Sequence, residues 1–188
     1  MIAKQFSDQQ LHERATTLAS QIRSETIRLL KILAEIESRR LFAKFASDSL
    51  FDYCVRSLKM SEGAAGRLVN SSRMLARHPD IESDIADGAL TITALNSAYI
   101  FFKRETKAGH AFCLNRQGEI LESLREKSTR EVERILLAHA SSQDLHRKES
   151  CRQISETVVS LTITLDQVTL EKLESLKSLW SHKMPGAN

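Results

Sequence analysis

Six glycines and two prolines are all the conformational punctuation in 188 residues. A sandwich or barrel spends a turn on roughly every 8–12 residues, and this supply is too small for one. The chain therefore reads as mainly α: a multi-helix domain with a small appendage. Its 41% hydrophobic and 27% charged residues are those of an ordinary globular protein, neither disordered nor membrane-spanning. The length suits one compact domain plus that appendage.

Helix signals run in series. Ser7 with Gln10 forms a capping box, and Leu11, Ala15, Leu18, Ala19 and Ile22 recur at helical spacing, predicting a helix from Asp8 to Arg23. A second long helix is predicted from Glu25 to Phe45, with Ile27, Leu30 and Leu33 inward and Glu35, Glu37, Arg39 and Arg40 outward. Ser47-Asp48-Ser49 caps LFDYCVRSL, and Ser61 caps a further helix that must stop by Arg77 or His78, because Pro79 forbids continuation. Ile81 and Ile85 mark a short helix closed by Asp87-Gly88, and helices follow over Thr91 to Arg104 and Phe112 to Arg125. Ser128 with Glu131 makes a second capping box before VERILLAHA. The helical domain is placed at 7–140.

Polar SSQDLHRKESCRQ lacks apolar periodicity, which makes 141–155 a linker. Beyond it the period falls from 3.6 to 2. Val159, Leu161, Ile163 and Leu165 alternate with Ser160, Thr162 and Thr164, a half-buried strand, and Asp166 caps a helix bearing Val168, Leu173, Leu176, Leu179 and Trp180. This strand-helix appendage covers 156–183, with a tail at 184–188. A lone strand leaves its own backbone groups unpaired, so a partner is expected from a second subunit through residues 158–165 or from chain beyond Asn188.

The basic excess is small, 27 Lys and Arg against 24 Asp and Glu, and it is local. Arg56, Lys59, Arg67, Arg73 and Arg77 face only Glu62 in that stretch. Cys54, Cys113 and Cys151 are odd in number and unpaired in spacing, which suits a reducing cytoplasm, and no leader or membrane-spanning run is visible. The six histidines (His12, His78, His110, His139, His146, His182) show no ligand spacing, and no phosphate loop or nucleophile elbow occurs. No catalytic residue, metal site or cofactor is assigned within the chain.

The stretch LFDYCVRSLKMSEGAAGRLVNSSRMLARHP, about residues 49–77, has the length and punctuation of a helix-turn-helix: a short helix, a turn at Lys59-Met60-Ser61, and a capped second helix. On a helical wheel Arg67, Asn70, Arg73 and Arg77 share one side, together with Met74. Ala64, Ala65, Leu68, Val69, Leu75 and Ala76 take the other. Guanidinium groups suit guanine or phosphate and Asn suits adenine. Double-stranded DNA is therefore the expected partner, with Lys59, Ser61 and Arg77 on the backbone and Arg67, Asn70 and Arg73 toward a groove. The alternative is a non-enzymatic protein-interaction or oligomerisation module.

The run EIESRRLFAKFASDSLFDYCVRSLKMSEGAAGRLVNSSRMLARHPDIESDIADGALTITAL resembles the N-terminal region of bacterial HNH-endonuclease family proteins. Its HPDIESDIADGALTITAL is also similar to the segment after the helix-turn-helix of ParB-type partition proteins. KSTREVER and LTITLDQVTLEKLESLKSLWSHKMPG resemble the same HNH-associated family, so the likeness covers most of the chain. It implies a helical DNA-associated region followed, after the SHKMPG-like segment with His182, by a ββα nuclease module whose histidine activates water beside a divalent metal. That module would begin past Asn188, so the resemblance carries no catalytic residue onto this sequence.

Overall fold

A computed structural model of the chain describes residues 6–141, 150–155, 157–163, 165 and 167–181. It is mainly helical, with one small antiparallel sheet near the C-terminus. Residues 1–141 and 142–188 form two separate compact units.

Helix α1 runs unbroken over Asp8–Ser38, where the sequence predicts two helices. Nothing between its ends stops it: there is no Gly or Pro, and across the expected boundary the Thr26 hydroxyl donates to the Ile22 carbonyl at 2.7 Å. The Ser7–Gln10 capping box starts it, and its 31 residues span about 46 Å. Residues 8–22 are exposed on every side. From Arg23, whose Nε donates to the Ala86 carbonyl at 2.8 Å, the helix lies on the domain and buries Ile27, Leu30 and Leu33. It ends well short of the predicted Phe45. Arg40 (φ 50°) and Ala46 (φ 51°) are left-handed and bracket a 3-10 turn, Leu41–Phe45, that brings Phe42 onto Leu33, Leu50 and Cys54.

Helix α2 (Leu50–Arg56) is capped by Ser49 and α3 (Glu62–Arg77) by Ser61, whose hydroxyl accepts from the Ala64 amide at 3.4 Å. Pro79 ends α3 at His78, and a 3-10 turn leads to α4 (Glu82–Asp87), which stops at left-handed Gly88. Helices α5 (Ile92–Lys107), α6 (Leu114–Ser123) and α7 (Thr129–Ala138) complete the unit, α7 on its expected Ser128–Glu131 box. Central α3 packs against α1, α2 and α5. Its Val69 and Ala65 join the cluster of Leu33, Leu50 and Cys54, and its Met74 and Leu75 join the larger one around Leu30, Leu95 and Phe102.

The unit closes on a buried carboxylate. Glu105 of α5 is 3% exposed and accepts from both the amide and the hydroxyl of Ser141. Burial alone would raise its pKa, but the Ser141 hydrogen bonds and the charges of Arg104 and His110 outweigh burial and hold it below the usual range. A depressed folded-state pKa stabilises above the unfolded carboxyl's value, about 4.3, and that stability drains as pH falls through the folded value. Glu105→Ala is therefore expected to cost about 1–3 kcal/mol at neutral pH, with the gap to wild type narrowing as pH falls below about 4.3. Urea unfolding at neutral pH and through the acid range checks this.

In the second unit β1 (Ser150–Gln153) pairs antiparallel with β2 (Val159–Thr162), from Ser150↔Thr162 to Gln153↔Val159. The turn is tied by Ile154 and Ser155 amides donating to the Val158 carbonyl. This corrects two expectations: β1 lies inside the segment read as linker, and the strand at 159–162 finds a partner within its own chain. SCRQ has no alternation of its own, so only its pairing reveals it as a strand. Helix α8 (Gln167–Ser181) follows. The expected cap Asp166, His182 and the tail at 184–188 lie outside the described residues, as does the placement of the Leu179 and Trp180 side chains.

Candidate nucleic-acid interface

The α2–α3 pair forms as expected, a short helix and a longer one joined through Lys59, which adopts the left-handed conformation (φ 57°) usually left to glycine. The Met60 amide donates to the Cys54 carbonyl at 3.1 Å and closes the turn. Cys54 itself is buried, and burial pushes its thiol up, as befits a packing residue rather than a nucleophile.

The six residues expected to meet DNA separate into two groups. Lys59, Ser61, Arg67 and Arg77 are exposed. Ser61 spends its hydroxyl on the helix cap, and Arg67 folds back along α3 so that its Nη1 lies 3.7 Å from where a Gly63 Cβ would stand. Arg77 lies over the Tyr99 ring, 5.8 Å from its centroid. Among the described residues neither Lys59 nor Arg67 makes a salt bridge.

Asn70 and Arg73 are turned inward, correcting the expectation that both face a groove. Asn70 Nδ2 donates to Asn96 Oδ1 of α5 at 2.8 Å. Arg73 makes a forked pair with Glu37 of α1, Nη2 to Oε1 at 2.5 Å and Nε to Oε2 at 3.0 Å, and its Nη1 donates to the Tyr99 hydroxyl at 3.2 Å. The Glu37 hydrogen bonds dominate over partial desolvation and raise the Arg73 pKa further. Glu37 thus points at the domain, not outward as its sequence context suggests. It follows Leu30 and Leu33 at helical spacing, which is the signal that locates it.

The wheel fails here for a physical reason. It assumes one buried face, whereas α3 is packed by three helices: Met74, on the supposed basic side, is fully buried, and Ala76, on the supposed apolar side, is exposed. The remaining cationic surface consists of Lys59 and Arg67 at the N-terminal end of α3 and Arg77 at its C-terminal end.

Among the described residues no group of three His, Cys, Asp or Glu is placed to hold a metal. His78 is buried, its Nε2 hydrogen-bonded to Gln117 Oε1 at 3.3 Å between the end of α3 and α6, as befits a structural residue. Among the described residues no helix is long and apolar enough to cross a membrane. No protein-family model, curated protein or solved structure matches the chain.

Proposed function

We propose that the chain is a DNA-binding module, the N-terminal region of an HNH-type endonuclease, that meets double-stranded DNA with the turn before α3 and the first two turns of that helix. The supporting observation is Arg67: exposed, without an acidic partner among the described residues, and one helical turn from Gly63, where a missing side chain lets a phosphate come close. Lys59 adds a second charge, and the α3 N-terminus adds its partial positive one, opposed by Glu62. The HNH assignment rests on the sequence resemblance alone, and the reaction belongs to a module outside these residues.

The test is duplex affinity at several salt concentrations between about 50 and about 200 mM. Lys59→Ala with Arg67→Ala is expected to weaken binding and reduce the slope of log K against log salt by about two units, near 0.9 per lost phosphate contact. Arg73→Ala is expected to leave the slope unchanged in protein that is still folded, because Glu37 already holds that charge. An unaltered slope in the Lys59/Arg67 double variant rejects the surface.

A second reading, a non-enzymatic interaction or oligomerisation module, is favoured by the second unit. Leu161, Ile163, Val168 and Leu176 are 45–63% exposed there, apolar side chains that a partner surface would cover. No duplex affinity at low salt, with self-association that Leu161→Glu abolishes, selects this reading.

A further inference from the structure

The N-terminal half of α1 carries an apolar seam that the domain leaves bare. Leu11, Ala15, Leu18 and Ile22 follow one another at alternating steps of four and three residues, the a/d repeat of a coiled coil. Leu11, Leu18 and Ile22 are 39%, 58% and 66% exposed, although each is a residue type that packing normally buries. The same repeat continues through Glu25 to Leu29, which the domain partly covers.

We propose that this seam pairs with the α1 seam of a second copy of the chain, the two helices antiparallel. A two-fold contact is isologous, so each residue must find a complementary residue within the same segment. One register satisfies this: Leu11 faces Ile22 and Ala15 faces Leu18 of the partner helix, which sets the small side chain against a large one in both central layers. The flanking pairs are then Arg14 with Gln21 and His12 with Ala19, none of them like-charged. Shifting by one heptad sets Arg14 against Arg28 and Ala15 against Glu25. A parallel pair puts Glu25 against its own copy and Ala15 against Ala15. In the favoured register Asp8 and Glu25 meet only at the ends of the seam, where Glu25 is already paired with Arg28 at 2.8 Å.

Other occupants fit the surface less well. Residues 8–22 carry only Asp8, Glu13 and Arg14 as charged groups apart from His12, so there is no basic face for an anionic lipid surface or for nucleic acid. The low charge also leaves the Asp8–Glu25 contact at the two ends as the one like-charged pair that this register sets across the seam. The inference stands independently of the DNA reading.

Sedimentation equilibrium of the full chain from about 1 to about 200 μM tests it. A reversible monomer–dimer equilibrium is expected, with Leu18→Glu weakening it at least about tenfold while Leu161→Glu leaves it unchanged. Leu18 is exposed, so Leu18→Glu is expected to keep the wild-type helical circular dichroism. With Cys113 and Cys151 replaced by Ser, the Arg14→Cys, Gln21→Cys double variant is expected to cross-link on oxidation, and each single variant is not. A monomer throughout, a dimer indifferent to Leu18→Glu, or cross-linking of a single variant overturns the proposal.

Discussion

Leu30→Ala is expected to destabilise the first unit by about 3–5 kcal/mol, and Leu18→Ala, the same chemical change twelve residues earlier on the same helix, by no more than about 0.5 kcal/mol. Leu30 is 0% exposed and belongs to the cluster of Met74, Leu75 and Leu95, so truncation loses its transfer energy and leaves a cavity that three packed helices cannot easily fill. Leu18 is 58% exposed, and alanine is the better helix former. Urea unfolding followed by circular dichroism at about 1 μM keeps self-association out of the comparison. Equal losses at the two positions would mean that α1 packs on the domain along its whole length, contrary to the exposure of residues 8–22.

That contrast also marks what the sequence discloses. Signals confined to a few residues are legible: the boxes at Ser7 and Ser128, the cap at Ser61, the stop before Pro79 and the left-handed Gly88 all form as their local chemistry dictates. The continuity of α1 is less so, because polar SQIRSE weakens the periodicity without containing anything that breaks a helix. Strand β1 is invisible to patterning, since SCRQ becomes a strand only by pairing with Val159–Thr162. At the candidate interface, the exposure of Arg67 and Arg77 is what the helical wheel of α3 predicts. The inward turn of Asn70 and Arg73 depends on where α1 and α5 pass, which no local pattern in α3 encodes.

Arg73 carries the other large effect. The Arg73 and Glu37 side chains are each about two-thirds covered, at 32% and 30% exposure, so solvent screens their pairing only in part. Removing either partner leaves the other charge in a half-dry interface between α1 and α3. Arg73→Ala and Glu37→Ala are each expected to cost about 2–3 kcal/mol. Because each single change already forfeits the shared fork, the double variant should cost about 3 kcal/mol rather than the sum, a coupling of about 1–3 kcal/mol in a double-mutant cycle. Arg73→Lys should recover little, since one ammonium cannot occupy both carboxylate oxygens and also reach the Tyr99 hydroxyl. Denaturant midpoints of the four proteins and of the lysine variant measure these terms. Additive losses would show that Glu37 does not hold Arg73, and would return that guanidinium to the surface available to DNA.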